Sequence, residues 1–286
     1  MSTKNWPEGI QCGVCLTFDL DAETFWFSRT MDSMGSPNIM AEGAYGPKVA
    51  VPRILDMLDR LELKATFFIP GWVIEHHTET CREIVRRGHE IGYHGYLHEK
   101  AYFIQQENEL VAKSKKIMKD LLGVEPVGHR APEAELTSET IATIIDNGFE
   151  YSTNMMDRDA PYLHELDDGR KIVELPFNWL YDDSSHFFFT LQNPERRRIC
   201  APSYVREIWQ SEFDGLYEEG GLYPFVLHPQ IIGRVSRVKM LEELLAYMKS
   251  RPGTLIGPGR VIADAARKAL MGEEEGGAGH VRYRNL

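Results

Sequence analysis

The stretch Gln11-Cys12-Gly13-Val14-Cys15-Leu16-Thr17-Phe18-Asp19-Leu20-Asp21 decides how this chain is read. From Gln11 to Phe18 it is rich in Val, Leu, Thr and Phe, the composition of a buried strand, and it finishes on two carboxylates. Side chains alternate along a strand, so Asp19 and Asp21 project from the same side as it ends. Carboxylates that close repel unless a cation or a shared proton relieves them. The bland alternative is an acidic strand end that caps the next turn. Cys12 and Cys15 form a C-x-x-C inside the same strand, where residues three apart face opposite ways. With no second cysteine pair, buried reduced thiols are expected rather than a redox or zinc pair.

Outward from this strand, short apolar runs alternate with helical periods, the pattern of βα units. Strands are expected at Lys64 to Ile69, Glu90 to Tyr93, Pro126 to His129, Phe149 to Thr153, Lys171 to Leu175, Leu222 to Leu227 and Thr254 to Ile256. A loop rich in Gly, Ser, Pro and Met runs from about Ser28 to Pro47, long enough to be a lid or binding loop. Helix one begins near Val51, with Val51, Ile54, Leu55 and Leu58 as one apolar stripe. Thr78 is expected to cap the next helix and Gly88 to end it. Further helices are expected over Gln105–Leu122, Ser138–Asp146, Ser203–Glu219, Arg237–Lys249 and Val261–Leu270. About seven βα-like repeats with no linker predict one α/β domain built as a barrel over residues 1–271, followed by a mobile tail or interaction arm over 272–286.

Bulk properties narrow the partners. The chain has 286 residues, 43% hydrophobic and 26% charged, an ordinary globular composition with ample material for one core. A net charge of −11 argues against nucleic acid or an anionic membrane as the main partner. No apolar run approaches the roughly 20 residues that span a bilayer. The first ten residues carry no hydrophobic signal core, so a cytoplasmic protein is expected.

The chemistry gathers just past predicted strands. Glu90 to Tyr93 leads into His94-Gly95-Tyr96-Leu97-His98, whose histidines face the same way if the segment coils into a helical turn. Two neutral imidazoles with one carboxylate form a standard catalytic zinc set that leaves a position for water. Arg130 follows the strand ending at His129, and an arginine beside a crowded carboxylate holds it ionised and oriented. His228 ends Tyr223-Pro224-Phe225-Val226-Leu227 and is stopped by Pro229; a histidine placed there can protonate a leaving nitrogen. Each piece alone has an ordinary alternative in a surface salt bridge or a packed core histidine. All four lie where α/β barrels collect their chemistry, at the carboxyl ends of the strands.

At these residues the sequence resembles the polysaccharide deacetylase, or NodB-homology, family. Its T-F-D-D-G or D-x-D motif is similar to Thr17–Asp21, its H-x-x-x-H to His94–His98, and its R-x-P to Arg130-Ala131-Pro132. Ala134 stands where the family often has glycine. The stretch Glu174-Leu175-Pro176-Phe177-Asn178-Trp179-Leu180-Tyr181-Asp182-Asp183 resembles E-[IL]-P-x-N-W-x-x-D-D of one intracellular branch, and Leu227-His228-Pro229 resembles the last motif. The resemblance spans about Cys12 to Ala265. It implies a distorted barrel of about seven βα units and a divalent metal, usually zinc, held by Asp21, His94 and His98. It further implies Asp19 as general base tethered by Arg130, His228 as general acid, and Trp179 and Pro132 beside the substrate. The aspartate that orients the acid histidine is assigned to no residue. That branch includes cyclic imide hydrolases, allantoinase-like enzymes and peptidoglycan deacetylases, and it implies a homo-oligomer, with a tetramer as the usual form. The expected function is hydrolysis of a non-peptide C–N bond. A small cyclic imide, ureide or amide is the preferred substrate, because Phe25, Trp26, Phe27, Met31 and Met34 of the long loop suit a cover over a small ligand. An N-acetylated amino-sugar oligomer is the alternative.

Overall fold

Leu16 breaks strand one in two. In the computed structural model, which describes residues 6–27, 36–100, 107–190 and 199–271 and the backbone of 280–282, the first half is β1 (Cys12–Cys15). It lies in parallel between β9 (Leu222–Pro224) and β10 (Thr254–Gly257). The second half, β2 (Thr17–Asp19), pairs instead with β3 (Thr66–Ile69). At the break the Leu16 N–H donates to Gly257 O and its carbonyl accepts from the Thr66 N–H, so the chain passes between sheets with its backbone paired. Cys12 and Cys15 fall into different apolar clusters, as opposite faces require. Both are free thiols that burial pushes up to about 12, which leaves them unreactive at neutral pH.

From β3 the ladder runs in parallel through β4 (Glu90–Tyr93), β5 (Gly128–His129), β6 (Tyr151–Ser152) and β8 (Lys171–Glu174). On the other side of β2, the Asp19 N–H donates to Leu227 O (2.7 Å) and the Leu227 N–H to Thr17 O (3.2 Å), and a single bridge links Asp182 to Val226. The strands curve into a distorted (β/α) barrel whose last turn is made by such single bridges. Close approach inside it requires glycine: a Cβ at Gly92 would overlap the Phe68 ring, and one at Gly128 the Tyr151 ring.

The helices follow the expected places closely. They are α3 (Val51–Arg60), α5 (Thr78–Arg86), α6 (Glu107–Leu122), α7 (Thr140–Asp146), α9 (Pro202–Glu219), α11 (Val235–Ser250) and α12 (Gly259–Leu270). The α3 stripe of Val51, Ile54, Leu55 and Leu58 is buried in the main core with Phe18, Phe67 and Leu227. Among the described residues no helix is long and apolar enough to cross a membrane.

Several expectations need correction. The long connection is not loop throughout, because Pro37–Tyr45 forms α2 and runs through a π turn over 46–50 into α3. Short helices α1 (Thr24–Phe27), α4 (Gly71–His76), α8 (Ser184–Phe187) and α10 (Pro229–Ile232) follow strands and were not anticipated. Thr78 does not cap α5; it lies inside the helix and its hydroxyl donates back to Ile74 O at 2.7 Å. A further strand, β7 (Tyr162–Glu165), pairs antiparallel with β8 across a turn in which Gly169 has φ 85°. Of the tail, the backbone of β11 (His280–Arg282) pairs in parallel with β7. The expected mobility of its other residues, and Met31 and Met34 of the long loop, lie outside the described residues.

Candidate metal and catalytic centre

Asp19 ends β2 and Asp21 follows it, before Ala22 turns the chain sharply with φ 48°. Asp21 is fully buried, and neither of its carboxylate oxygens has a hydrogen-bond donor. His94 Nε2 lies 3.3 Å and His98 Nε2 3.9 Å from its Oδ1, and His228 Nε2 lies 3.7 Å from its Oδ2. One ligand atom from each of Asp21, His94 and His98 falls within a 4.8 Å span. A buried carboxylate with no donor is strongly unfavourable unless a positive charge compensates it. Burial alone would raise the Asp21 carboxyl, but the His98, His94 and His228 imidazoles outweigh it and hold the group well below the usual carboxylate range.

The histidine turn differs from the expected helical one. Residues 94–98 form a bend in which Gly95 has φ 76° and His98 φ 60°, a left-handed conformation uncommon for a non-glycine residue. Neighbours pin the bend. Gly95 O accepts from the Gly71 N–H and the Ser114 hydroxyl (both 3.1 Å), and Tyr96 O accepts from the Trp72 N–H (2.9 Å). The two imidazoles consequently meet edge to face, 5.0 Å between centroids. His94 Nδ1 donates to Arg130 O at 2.9 Å, and since a carbonyl only accepts, the Nε2 lone pair is the one turned to Asp21. An acceptor facing an acceptor across 3.3 Å needs a cation or a proton between them. The donor set fits a divalent ion. For His94, burial would lower the pKa, but the Asp19 and Asp21 carboxylates outweigh it and raise it.

Arg130 follows β5 and meets strand one from across the barrel. Its Nη1 donates to Asp19 Oδ1 (2.7 Å) and to the Thr17 hydroxyl (2.8 Å), and its Nη2 to the Thr153 hydroxyl (3.1 Å). Both partners are nearly fully buried, so the arginine fixes one oxygen of Asp19 while the other stays 3.8 Å from His94 Nε2.

His228 has a partner that sequence reading left unassigned. Its Nδ1 donates to Asp183 Oδ1 at 2.6 Å, and its backbone N–H donates to Asp183 Oδ2 at 3.0 Å. Asp182 contributes a more distant oxygen, 3.7 Å away. The signal was present in the adjacent Asp182-Asp183, but only the bridge of Asp182 to Val226 brings that pair beside His228. Burial would lower the His228 imidazole; the Asp183 and Asp182 carboxylates outweigh this and push it up to about 10.

These groups open into a cleft of about 690 Å³, within the usual range for small-ligand sites. Asp19, His94, His98, Arg130 and His228 lie at its base, and Trp179 is on its wall, 44% exposed. Phe25 and Trp26 of α1 form another side, the Phe25 ring packing 5.8 Å from His228 and 4.9 Å from Phe188. Pro132 departs from expectation: it is buried outside the wall, and the neighbouring Ala131, Glu133, Ala134 and Glu135 face the cleft instead. The backbone explains the exchange, since Glu133 (φ 54°) and Ala134 (φ 55°) both take the left-handed conformation and turn this segment inward.

Known proteins resemble this chain in sequence and in fold. The polysaccharide deacetylase family model matches residues 44–152. A peptidoglycan deacetylase of Helicobacter pylori is 29% identical over 262 residues, covering 82% of this chain and 89% of that protein. A crystal structure from Mycobacterium smegmatis, of a protein assigned to the polysaccharide deacetylases, has a TM-score of 0.88 at 34% identity and 92% coverage of each chain. The crystal structure of an allantoinase shares the fold, with a TM-score of 0.79 at 21% identity over 93% of each chain. The chain belongs to the polysaccharide deacetylase family.

Proposed function

We propose that this protein is a divalent-metal hydrolase of a non-peptide carbon–nitrogen bond, and that it opens a small cyclic imide, ureide or related cyclic amide. The observation that carries the metal part is the Asp21 carboxylate, buried without a donor and ringed by imidazoles. Asp21, His94 and His98 are the ligands in this reading; the set suits zinc, and cobalt, manganese or iron are alternatives. Such a cation, when bound, supplies Lewis-acid polarisation of the amide carbonyl and a more acidic water.

The remaining work belongs to the chain. Asp19 is the general base: Arg130 holds one of its oxygens at 2.7 Å, and the other is directed towards the ligands, where it can accept the proton of the attacking water. His228 is the general acid. Its Nδ1 is occupied by Asp183, so the proton on Nε2 is the one available to the leaving nitrogen. Phe25 and Trp26 exclude water from one side, and Trp179 offers an aromatic face to the substrate.

The small-ring preference is supported by the aromatic side of the cleft packed against His228. A second reading, N-deacetylation of an amino-sugar oligomer, is favoured by the relative named as a peptidoglycan deacetylase. Assays on succinimide- and hydantoin-type rings and on N-acetylglucosamine oligomers separate the two. Ring opening without acetate release is expected; acetate release with inert rings would select the second. In either case His228→Ala is expected to lower kcat by roughly 10²–10⁴-fold, and Asp21→Ala to remove the metal found by elemental analysis. Turnover indifferent to a chelator and to Asp21→Ala would sink the metal mechanism.

A further inference from the structure

One buried carboxylate of the Glu174–Asp183 stretch takes no part in the chemistry above. Glu174 closes β8, is fully buried, and through Oε1 accepts from the backbone N–H groups of Asn154 (2.6 Å) and Met155 (2.8 Å). Its Oε2 faces His164 Nε2 at 3.4 Å. Burial would raise its pKa; His164 and the two N–H groups outweigh that and hold it below the usual range, so the group is a fixed negative charge.

What this charge fixes is Asn154, itself 3% exposed. The Asn154 Oδ1 accepts from the Ala131 N–H at 2.7 Å, and its Nδ2 donates to the Ser152 hydroxyl at 2.7 Å. A backbone N–H can only donate, so the orientation of the amide follows from its partners. The peptide between Arg130 and Ala131 is thereby held at both ends: its N–H by Asn154, and its C=O by His94 Nδ1 at 2.9 Å. A peptide unit is planar, so a rotation that breaks one of these bonds misaligns the other.

We infer that Asn154, clamped by Glu174, is a positioning residue for the metal ligand His94, acting through the Arg130–Ala131 peptide plane. Outer partners of ligating histidines set ring orientation and tautomer, and here the partner's own orientation is set one step further out. The adjacent Thr153 serves the same arginine differently, its hydroxyl accepting from Nη2 at 3.1 Å. One strand end thus holds Arg130 by its backbone and by its side chain.

The inference rests on the metal reading above, and the test keeps the two apart. The full-length metal-free protein is titrated with zinc against a chromophoric chelator, and with cobalt by visible spectroscopy. Asn154→Ala is expected to weaken zinc binding by roughly 10–100-fold, the range for outer partners of ligands, and to alter the cobalt spectrum. Asn154→Asp keeps an acceptor at Oδ1 and is expected to restore most of the loss, whereas Thr153→Val is expected to bind zinc as the wild type does. If Asn154→Ala does not fold, Glu174→Gln replaces it, with zinc binding weakened severalfold. Wild-type zinc affinity and cobalt spectrum in the variant that folds would overturn the inference. So would an Asn154→Asp protein as weak as Asn154→Ala, or an equal loss in Thr153→Val, which marks general loosening. A wild-type protein that binds neither metal would instead sink the reading of the centre itself.

Discussion

His228 divides its work between its two ring nitrogens. Asp183 takes Nδ1 at 2.6 Å and leaves Nε2 aimed at the centre, the geometry that the proposed acid role requires. The shift has a definite sign. The imidazole, pushed from 6.5 up to about 10 by Asp183 and Asp182, is protonated at neutral pH. The stability it contributes is fully present below 6.5 and is lost as pH rises through about 10. The same direction governs activity, because a general acid must carry its proton. Removing one nearby opposite charge shifts such a group by roughly 1–3 units. Asp183→Asn is therefore expected to move the high-pH limb of kcat/KM at least about one unit lower and leave the low-pH limb in place. A pH–rate profile checks this, and an unmoved high-pH limb would remove His228 from the acid role.

Two of the turns that line the site use left-handed backbone where the residue is not glycine. The 94–98 bend places His98 at φ 60°, and the segment after Arg130 places Glu133 and Ala134 at φ 54° and 55°. For alanine this conformation costs roughly 1–2 kcal/mol, partly offset by the roughly 0.4–1 kcal/mol that glycine loses through its freer unfolded chain. Ala134→Gly is therefore expected to stabilise the protein by up to about 1 kcal/mol, raising Tm by a few degrees at most. Urea unfolding measures it, and a destabilised variant would mean that the Ala134 methyl contributes packing worth more than the strain. These turns also mark the boundary of what the sequence could reveal. Strand composition and a D-x-D end made β2 legible, and the alternation of Glu90 to Tyr93 matched β4 residue for residue. The turn of 94–98 was not legible, because Gly71, Trp72 and Ser114, distant in sequence, dictate its shape. Of the β7–β8 hairpin, β8 was expected within Lys171 to Leu175 and the turn was legible in Asp168-Gly169, whereas β7 was not anticipated. Asp183 was visible as a residue but not as a partner, since its role depends on a single bridge between remote segments.

At the scale of the molecule, the centre draws its side chains from separate strands of the barrel. Asp21 follows β2, the histidines follow β4, and Arg130 and His228 arrive after β5 and after the segment beyond β9. Without a cation, protonation of His94 and His228, which the neighbouring carboxylates favour, compensates the Asp21 charge. A bound ion would take over that role and stabilise the folded state by mass action, about 4 kcal/mol at a free concentration 1,000 times Kd. For a chain somewhat larger than those in which 1 kcal/mol moves Tm by roughly 2–4 °C, chelation is expected to lower Tm by about 10 °C or slightly less. The size should depend on pH with a fixed sign. Protons and the ion compete for the same nitrogens, so the chelator's effect should be smallest near pH 5, where protonated histidines substitute for the cation, and grow towards pH 8. Calorimetry with and without chelator at both pH values tests this, with Asp21→Ala as the chain that should no longer respond. A chelator effect that shrinks with rising pH, or one that persists in Asp21→Ala, would place the stabilising ion somewhere other than this centre.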